Sequence, residues 1–186
     1  LWERAARRAA IPLAYSQGFH PQPKIQLASA LPLGFSSRAE MMDIWLKEDC
    51  EISKLRDDLQ SMLPGGIQIL SIEQVDDRAP ALQTQVVSAE YEVTIPAEFA
   101  SGLDGKVAAL LQADSLPRER RGKQYELRPL IGRVEAAPAE TSGTRRLFMR
   151  LTSREGATGR PEEALAQLDI PAEFTRIERT LLIFQG

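Results

Sequence analysis

SAEYEVTIP, residues Ser88–Pro96, is the stretch that decides the fold. It reads as a β-strand, and it restarts a regular pattern just after DDRAPALQTQ (Asp76–Gln85), which is polar and unpatterned and is therefore the natural linker. Downstream come a helix near Gly102–Gln112, strands at Gln124–Ala137 and Thr144–Ser153, a helix at Arg160–Ile170 and a strand at Thr175–Phe184. The order is β-α-β-β-α-β.

Working upstream, EISKLRDDLQSML (Glu51–Leu63) sets Ile52, Leu55, Leu59, Met62 and Leu63 at helical spacing, and Pro64–Gly66 stops it. Strands are expected on either side, at Ala39–Lys47, where Met42, Ile44 and Leu46 alternate with Asp43 and Trp45, and at Ile67–Val75. A short strand at Pro12–Ser16 follows an opening helix, LWERAARRAA, which Pro12 ends. That opening has no initiator methionine and is already helical, so a preceding segment is expected. One strand ahead of Leu1 would give this half the same element order. The expected fold is α+β, with two tandem ferredoxin-like (βαββαβ) units built on antiparallel sheets, the first lacking its N-terminal strand in this chain. The expected domains are residues 1–76 and 88–186, joined by a linker at 77–87.

With 186 residues, 43% of them hydrophobic, the chain can bury a sizeable core. No apolar run is long enough to span a bilayer and no secretory signal opens the sequence, so a cytoplasmic location with no membrane partner is expected. The single cysteine, Cys50, excludes an internal disulfide. The net charge of −3 is unevenly spread: acidic residues gather at Glu48–Asp58 and arginines from Arg118 onward.

One histidine and one cysteine cannot supply a usual zinc site, and no GxGxxG, GxxxxGK[ST] or GxSxG motif occurs. No cofactor, metal or catalytic residue is therefore expected. His20 has the chemistry of a general base, but a lone histidine in a proline-rich loop is more often a turn residue. Glu40 and Asp43, three apart on a strand, face opposite sides and do not converge as an acid and base.

YSQGFHPQPKIQLASALPLG (Tyr15–Gly34) has the composition of a stiff loop. Pro21 and Pro23 hold His20 and Gln22 extended, Gly18 permits a tight turn, and Phe19 either anchors the loop by burial or stacks on a planar ligand. Lys24 either binds a phosphate or merely solvates the entry to the next strand. The segment Arg118–Arg133 carries Arg118, Arg120, Arg121, Lys123, Arg128 and Arg133 against only Glu119 and Glu126. With Tyr125 among the cations it can contact phosphates while an aromatic stacks on a base. The alternative is a charged strand edge that discourages pairing with other molecules.

The run Arg4–Leu46 resembles the radical SAM-linked (radical SAM-associated) family of bacterial proteins. The matched positions are Ser16, Gly18, Phe19, Pro21, Pro23, Lys24, Leu33, Gly34, Ser37, Glu40 and Asp43, and ELRPLI (Glu126–Ile131) looks like that family's second signature. The resemblance implies a domain found alone or fused behind a B12-binding radical SAM enzyme. It also implies an association with ribonuclease E/G and ribosomal-protein genes, and hence a role around RNA. The chain has no CxxxCxxC motif, so such an enzyme's cluster must reside in a partner or a separate domain.

Three functions follow as expectations. The first is an accessory module that binds RNA or an RNA-containing assembly beside a radical SAM enzyme. Its contacts are Ser16, Gly18, Phe19, His20, Lys24 and Glu40 on one surface and Arg118, Arg120, Arg121, Lys123 and Arg128 on another. The second is a metal-independent RNA-acting enzyme using His20 or Glu40. The third is a protein-only adaptor whose proline loop docks on the radical SAM partner.

Overall fold

The computed structural model, which describes residues 1–154 and 156–185, is a mixed α+β structure. In chain order the elements are α1 (Trp2–Arg8), β1 (Ile25–Leu27), β2 (Ser36–Ser37), β3 (Met42–Ile44), α2 (Ile52–Met62), α3 (Leu82–Gln85), β4 (Val86–Ile95), α4 (Leu103–Gln112), β5 (Pro117–Arg120), β6 (Lys123–Glu126), β7 (Ile131–Ala136), β8 (Arg145–Arg154), β9 (Ala157–Thr158), α5 (Pro161–Gln167) and β10 (Arg176–Phe184). They group into two units.

One unit comprises Leu1–Leu27 and Met42–Leu82. Its core is small: Ala6, Leu13, Leu55 and Leu59 are buried, ringed by half-buried Ile11, Tyr15, Ile25, Ile44, Leu46, Ile69 and Ile72. α2 forms because its apolar residues recur every three or four positions, and it turns Leu55 and Leu59 inward. Ile52, in the first turn, stays 41% exposed.

The other unit comprises Ala28–Met41 and the chain from Gln83 onward. Along β4, Ala89, Tyr91, Val93 and Ile95 are buried while the residues between them are half-exposed, as period-two alternation requires. Leu147, Met149 and Leu151 of β8 do the same. The buried faces of α4 (Leu103, Val107, Leu110) and α5 (Pro161, Ala164, Leu165) close over this side. The strand order is β10-β4-β8-β7 with antiparallel neighbours, and β2 adds to the outer edge of β10 in parallel.

Several elements depart from expectation for identifiable reasons. The strand expected at Gln124–Ala137 is broken into β6, a 3-10 turn at Arg128–Leu130 and β7, because Pro129 cannot donate to a ladder. β5 is additional, in a segment whose charges hide its strand character. Pro12–Ser16 makes only isolated bridges, Leu13 to Leu46 and Tyr15 to Pro23. Ile67–Val75 is not a paired strand. The unit boundaries also differ from 1–76, 77–87 and 88–186: residues 28–41 join the second unit, and α3 and the start of β4 lie within the stretch read as a linker. Among the described residues no helix is long and apolar enough to cross a membrane.

Candidate functional site

The proline loop is closed by its own backbone. Ser16 N donates to Gln22 O (2.8 Å), Gln22 N donates to Ser16 Oγ (2.9 Å) and Lys24 N donates to Ala14 O (2.9 Å). Gly18 sits at φ 133, where a side chain would be strained. Ser16 and Gly18 therefore shape the loop, and what they project is Phe19, 102% exposed, followed by exposed His20. Phe19 does not anchor the loop by burial; it stands free to stack.

Beyond the loop, strand alternation sorts the side chains. Ile25, Ile44 and Leu46 turn toward the small core, so Lys24, Gln26 and Trp45 face the other way. With Pro23 and Ile25 they line an open depression of about 410 Å³. Lys24 is exposed and has no ion pair among the described residues, and it lies in the same depression as the half-buried Trp45 indole. Trp45 was not among the binding residues expected from the sequence. Its signal was its phase: it falls between Ile44 and Leu46, on the polar side of the alternation. Two other cations of this unit are engaged: Lys47 Nζ lies 5.6 Å over the Tyr15 ring and Arg7 pairs with Glu3 at 2.7 Å.

In the second unit the basic segment divides into structural and free cations. Arg128 donates to Leu111 O (3.0 Å), a carbonyl in the last turn of α4, and to Ile131 O (3.1 Å). It neutralises the negative end of that helix. Arg128→Met is expected to cost about 1–3 kcal/mol of stability, read from urea unfolding. Arg118 donates to Glu163 O (3.4 Å) on α5, and Arg133 pairs with Glu135. Arg120, Arg121 and Lys123 have no ion pair among the described residues. They cluster at the tip of the β5–β6 hairpin, where Arg121 (φ 50) and Gly122 (φ 74) form the two-residue turn.

Tyr125, on β6 beside those cations, is half-buried. Its hydroxyl is shut off from solvent, and burial together with the nearby Glu163 carboxylate pushes it up to about 12, against the opposing pull of Arg120 and Arg118. Because the folded value lies above the usual 10.0, this contribution is complete below pH 10 and is lost as pH rises toward 12. Tyr125→Phe is expected to flatten the fall in stability across that window, measured by urea titration at stepped pH.

Glu40 is not free for a ligand. Its carboxylate accepts from Arg179 Nε (2.8 Å) and Nη2 (2.6 Å), and the same guanidinium donates to Ser29 Oγ (3.1 Å) and Ser29 O (2.9 Å). Arg179 is 1% exposed and in register with Tyr91, whose hydroxyl burial pushes up while Arg179 opposes. Glu40 is thus the partly exposed partner of a buried guanidinium and leaves His20 without a carboxylate assigned to orient it. On the open face of the sheet, Phe148 lies between Arg146 and Arg150, but these pair with Glu92, Glu140 and Glu90. No three histidine, cysteine or acidic side chains group as a metal site would among the described residues.

These features define a two-unit α+β protein with an exposed aromatic and a free cation beside one short strand pair, and a basic hairpin tip elsewhere. The chain belongs to the DUF2344 family, described as an uncharacterized protein conserved in bacteria, whose model matches residues 1–161. No curated protein matches it.

Proposed function

We propose that this protein is a cytoplasmic accessory module that binds RNA and presents it to a B12-binding radical SAM enzyme, using ferredoxin-like scaffolds. The observation that carries the RNA reading is the Lys24–Trp45 depression, where an unpaired ammonium accompanies an outward indole. A phosphate and a base need that combination. Fully exposed Phe19 adds a second stacking surface in the same unit, and Arg120, Arg121 and Lys123 form a separate phosphate-binding tip on the other. For the scaffold, the antiparallel order β10-β4-β8-β7 with crossovers through α4 and α5 supports a ferredoxin-like second unit. The radical SAM partner rests on the resemblance of the Arg4–Leu46 block.

The test is a titration of the full chain with single-stranded RNA at low and at physiological salt, read by filter binding. Retention that weakens as salt rises is expected. Wild-type protein that retains no RNA at low salt would overturn the reading and leave Phe19 as a protein-docking residue. RNA turnover in the same mixture would favour the enzyme instead.

A further inference from the structure

The second unit supplies a template for the first. In it the crossover β4–α4–β7 leaves β8 between its two strands, and β10 lies on the outer edge of β4. In the first unit, α1 leads to Pro12–Ser16, which pairs with the continuation of β3: Lys47 N donates to Pro12 O (2.8 Å) and Ala14 N to Trp45 O (2.7 Å). Trp45 N donates to Lys24 O (3.1 Å). Both main-chain groups of Trp45 therefore face one edge, the edge that β1 and Pro12–Ala14 share. Adjacent residues of a strand aim these groups to opposite edges, so those of Ile44 and Leu46 face the other. Among the described residues β3 has no ladder on that side.

Ile67–Val75 likewise joins no ladder among the described residues. Its start is held by one side chain, with Gln60 Nε2 donating to Ile67 O (2.9 Å) and Ile69 N donating to Gln60 Oε1 (2.7 Å). Ile44, Leu46, Ile69 and Ile72 all pack against the same buried cluster, yet each is only half-buried. Leu70 and Val75 are 70% and 59% exposed. The open edge of β3 and the unladdered segment Ile67–Val75 thus border one incompletely covered core.

We propose that the first unit has an open strand position between Met42–Lys47 and Ile67–Val75. Its occupant is an extended segment with apolar residues at alternate positions, leading into α1 and antiparallel to Met42–Lys47. The direction follows from the right-handed β-α-β crossover: a strand entering α1 runs parallel to Pro12–Ser16 with one strand between them, as β4 and β7 do around β8. The alternation follows from the half-buried isoleucines, which need apolar side chains on one face only.

The test compares the full chain with a version carrying an extension of alternating threonine and valine joined directly to Leu1. A control extension has proline in place of the valines. Amide exchange is followed residue by residue. In the unextended chain Ile44 and Leu46 should exchange at least about tenfold faster than Trp45 and Lys47. The strand extension, and not the proline control, should slow Ile44, Leu46 and Leu70–Val75 by at least about tenfold and raise the thermal midpoint. Ile44 and Leu46 already protected in the unextended chain, or no added protection from the strand extension, would overturn the proposal. RNA binding plays no part in either measurement, so failure of the functional reading leaves this result intact.

Discussion

Replacing Glu40 by alanine is expected to lower the stability of the second unit by about 3–5 kcal/mol, the usual cost of stranding a buried charge. The Arg179 guanidinium is 1% exposed, so with Glu40 gone it keeps only Ser29 as a hydrogen-bonding partner from Ala28–Met41. The consequences extend beyond the pair. Ser36 and Ser37 lie parallel to β10 at Glu178 and Arg179, and Arg179 O accepts from Arg38 N (2.9 Å) and Ser37 Oγ (3.2 Å). Losing the Glu40 clasp should therefore release residues 28–41 from the sheet edge, and their amides should exchange faster than those of β4 and β8. Arg179→Met combined with Glu40→Leu is the informative companion, because it leaves no buried charge without a partner, and replacing a desolvated ion pair by apolar groups of similar volume is often near neutral. Urea unfolding of the single and double variants measures both. A loss below about 1 kcal/mol for Glu40→Ala would mean that solvent reaching the partly exposed carboxylate, whose side chain is 35% exposed, already compensates the guanidinium.

That ion pair also marks the limit of what sequence order conveys. The helix Ile52–Met62 and the strands Val86–Ile95 and Arg176–Phe184 were legible because each carries its own hydrophobic period. Glu40 was legible only as a charged residue in a matched block, since its partner lies 139 residues away. The same distance hid the transfer of residues 28–41 to the second unit. Arginines at Arg118–Arg133 announced a basic segment, but not that Arg128 caps α4 or that Arg118 reaches α5, because those acceptors are main-chain carbonyls of other elements. Trp45 was legible in phase and passed over in role. A strand at Ile67–Val75 was read from its apolar residues, whereas a ladder also requires a neighbour, which the described residues do not supply.

The largest expected effect on binding is that of Trp45→Ala. If the indole stacks on a base beside Lys24, its removal should weaken RNA binding by roughly 5- to 150-fold, the equivalent of about 1–3 kcal/mol, with the salt dependence unchanged. Phe19→Ala should act in the same way and shift preference among looped and single-stranded targets, since its fully exposed ring contributes nothing to the core that its loss could disturb. The cations should fail differently. Neutralising Arg120, Arg121 and Lys123 to glutamine removes only groups without ion pairs at a hairpin tip. It should reduce the slope of log affinity against log salt by about 0.7 for each phosphate left without its cation, roughly equally across sequences. Adding Arg128→Gln should lower stability without a further change in that slope, because its guanidinium is occupied by Leu111 O and Ile131 O. Filter binding at stepped salt, with circular dichroism to confirm folding, separates these outcomes. A folded Trp45→Ala variant with wild-type affinity would remove the stacking surface from the interface. A slope that falls with Arg128→Gln and not with the hairpin-tip variant would place the phosphate-binding groups at the helix end instead.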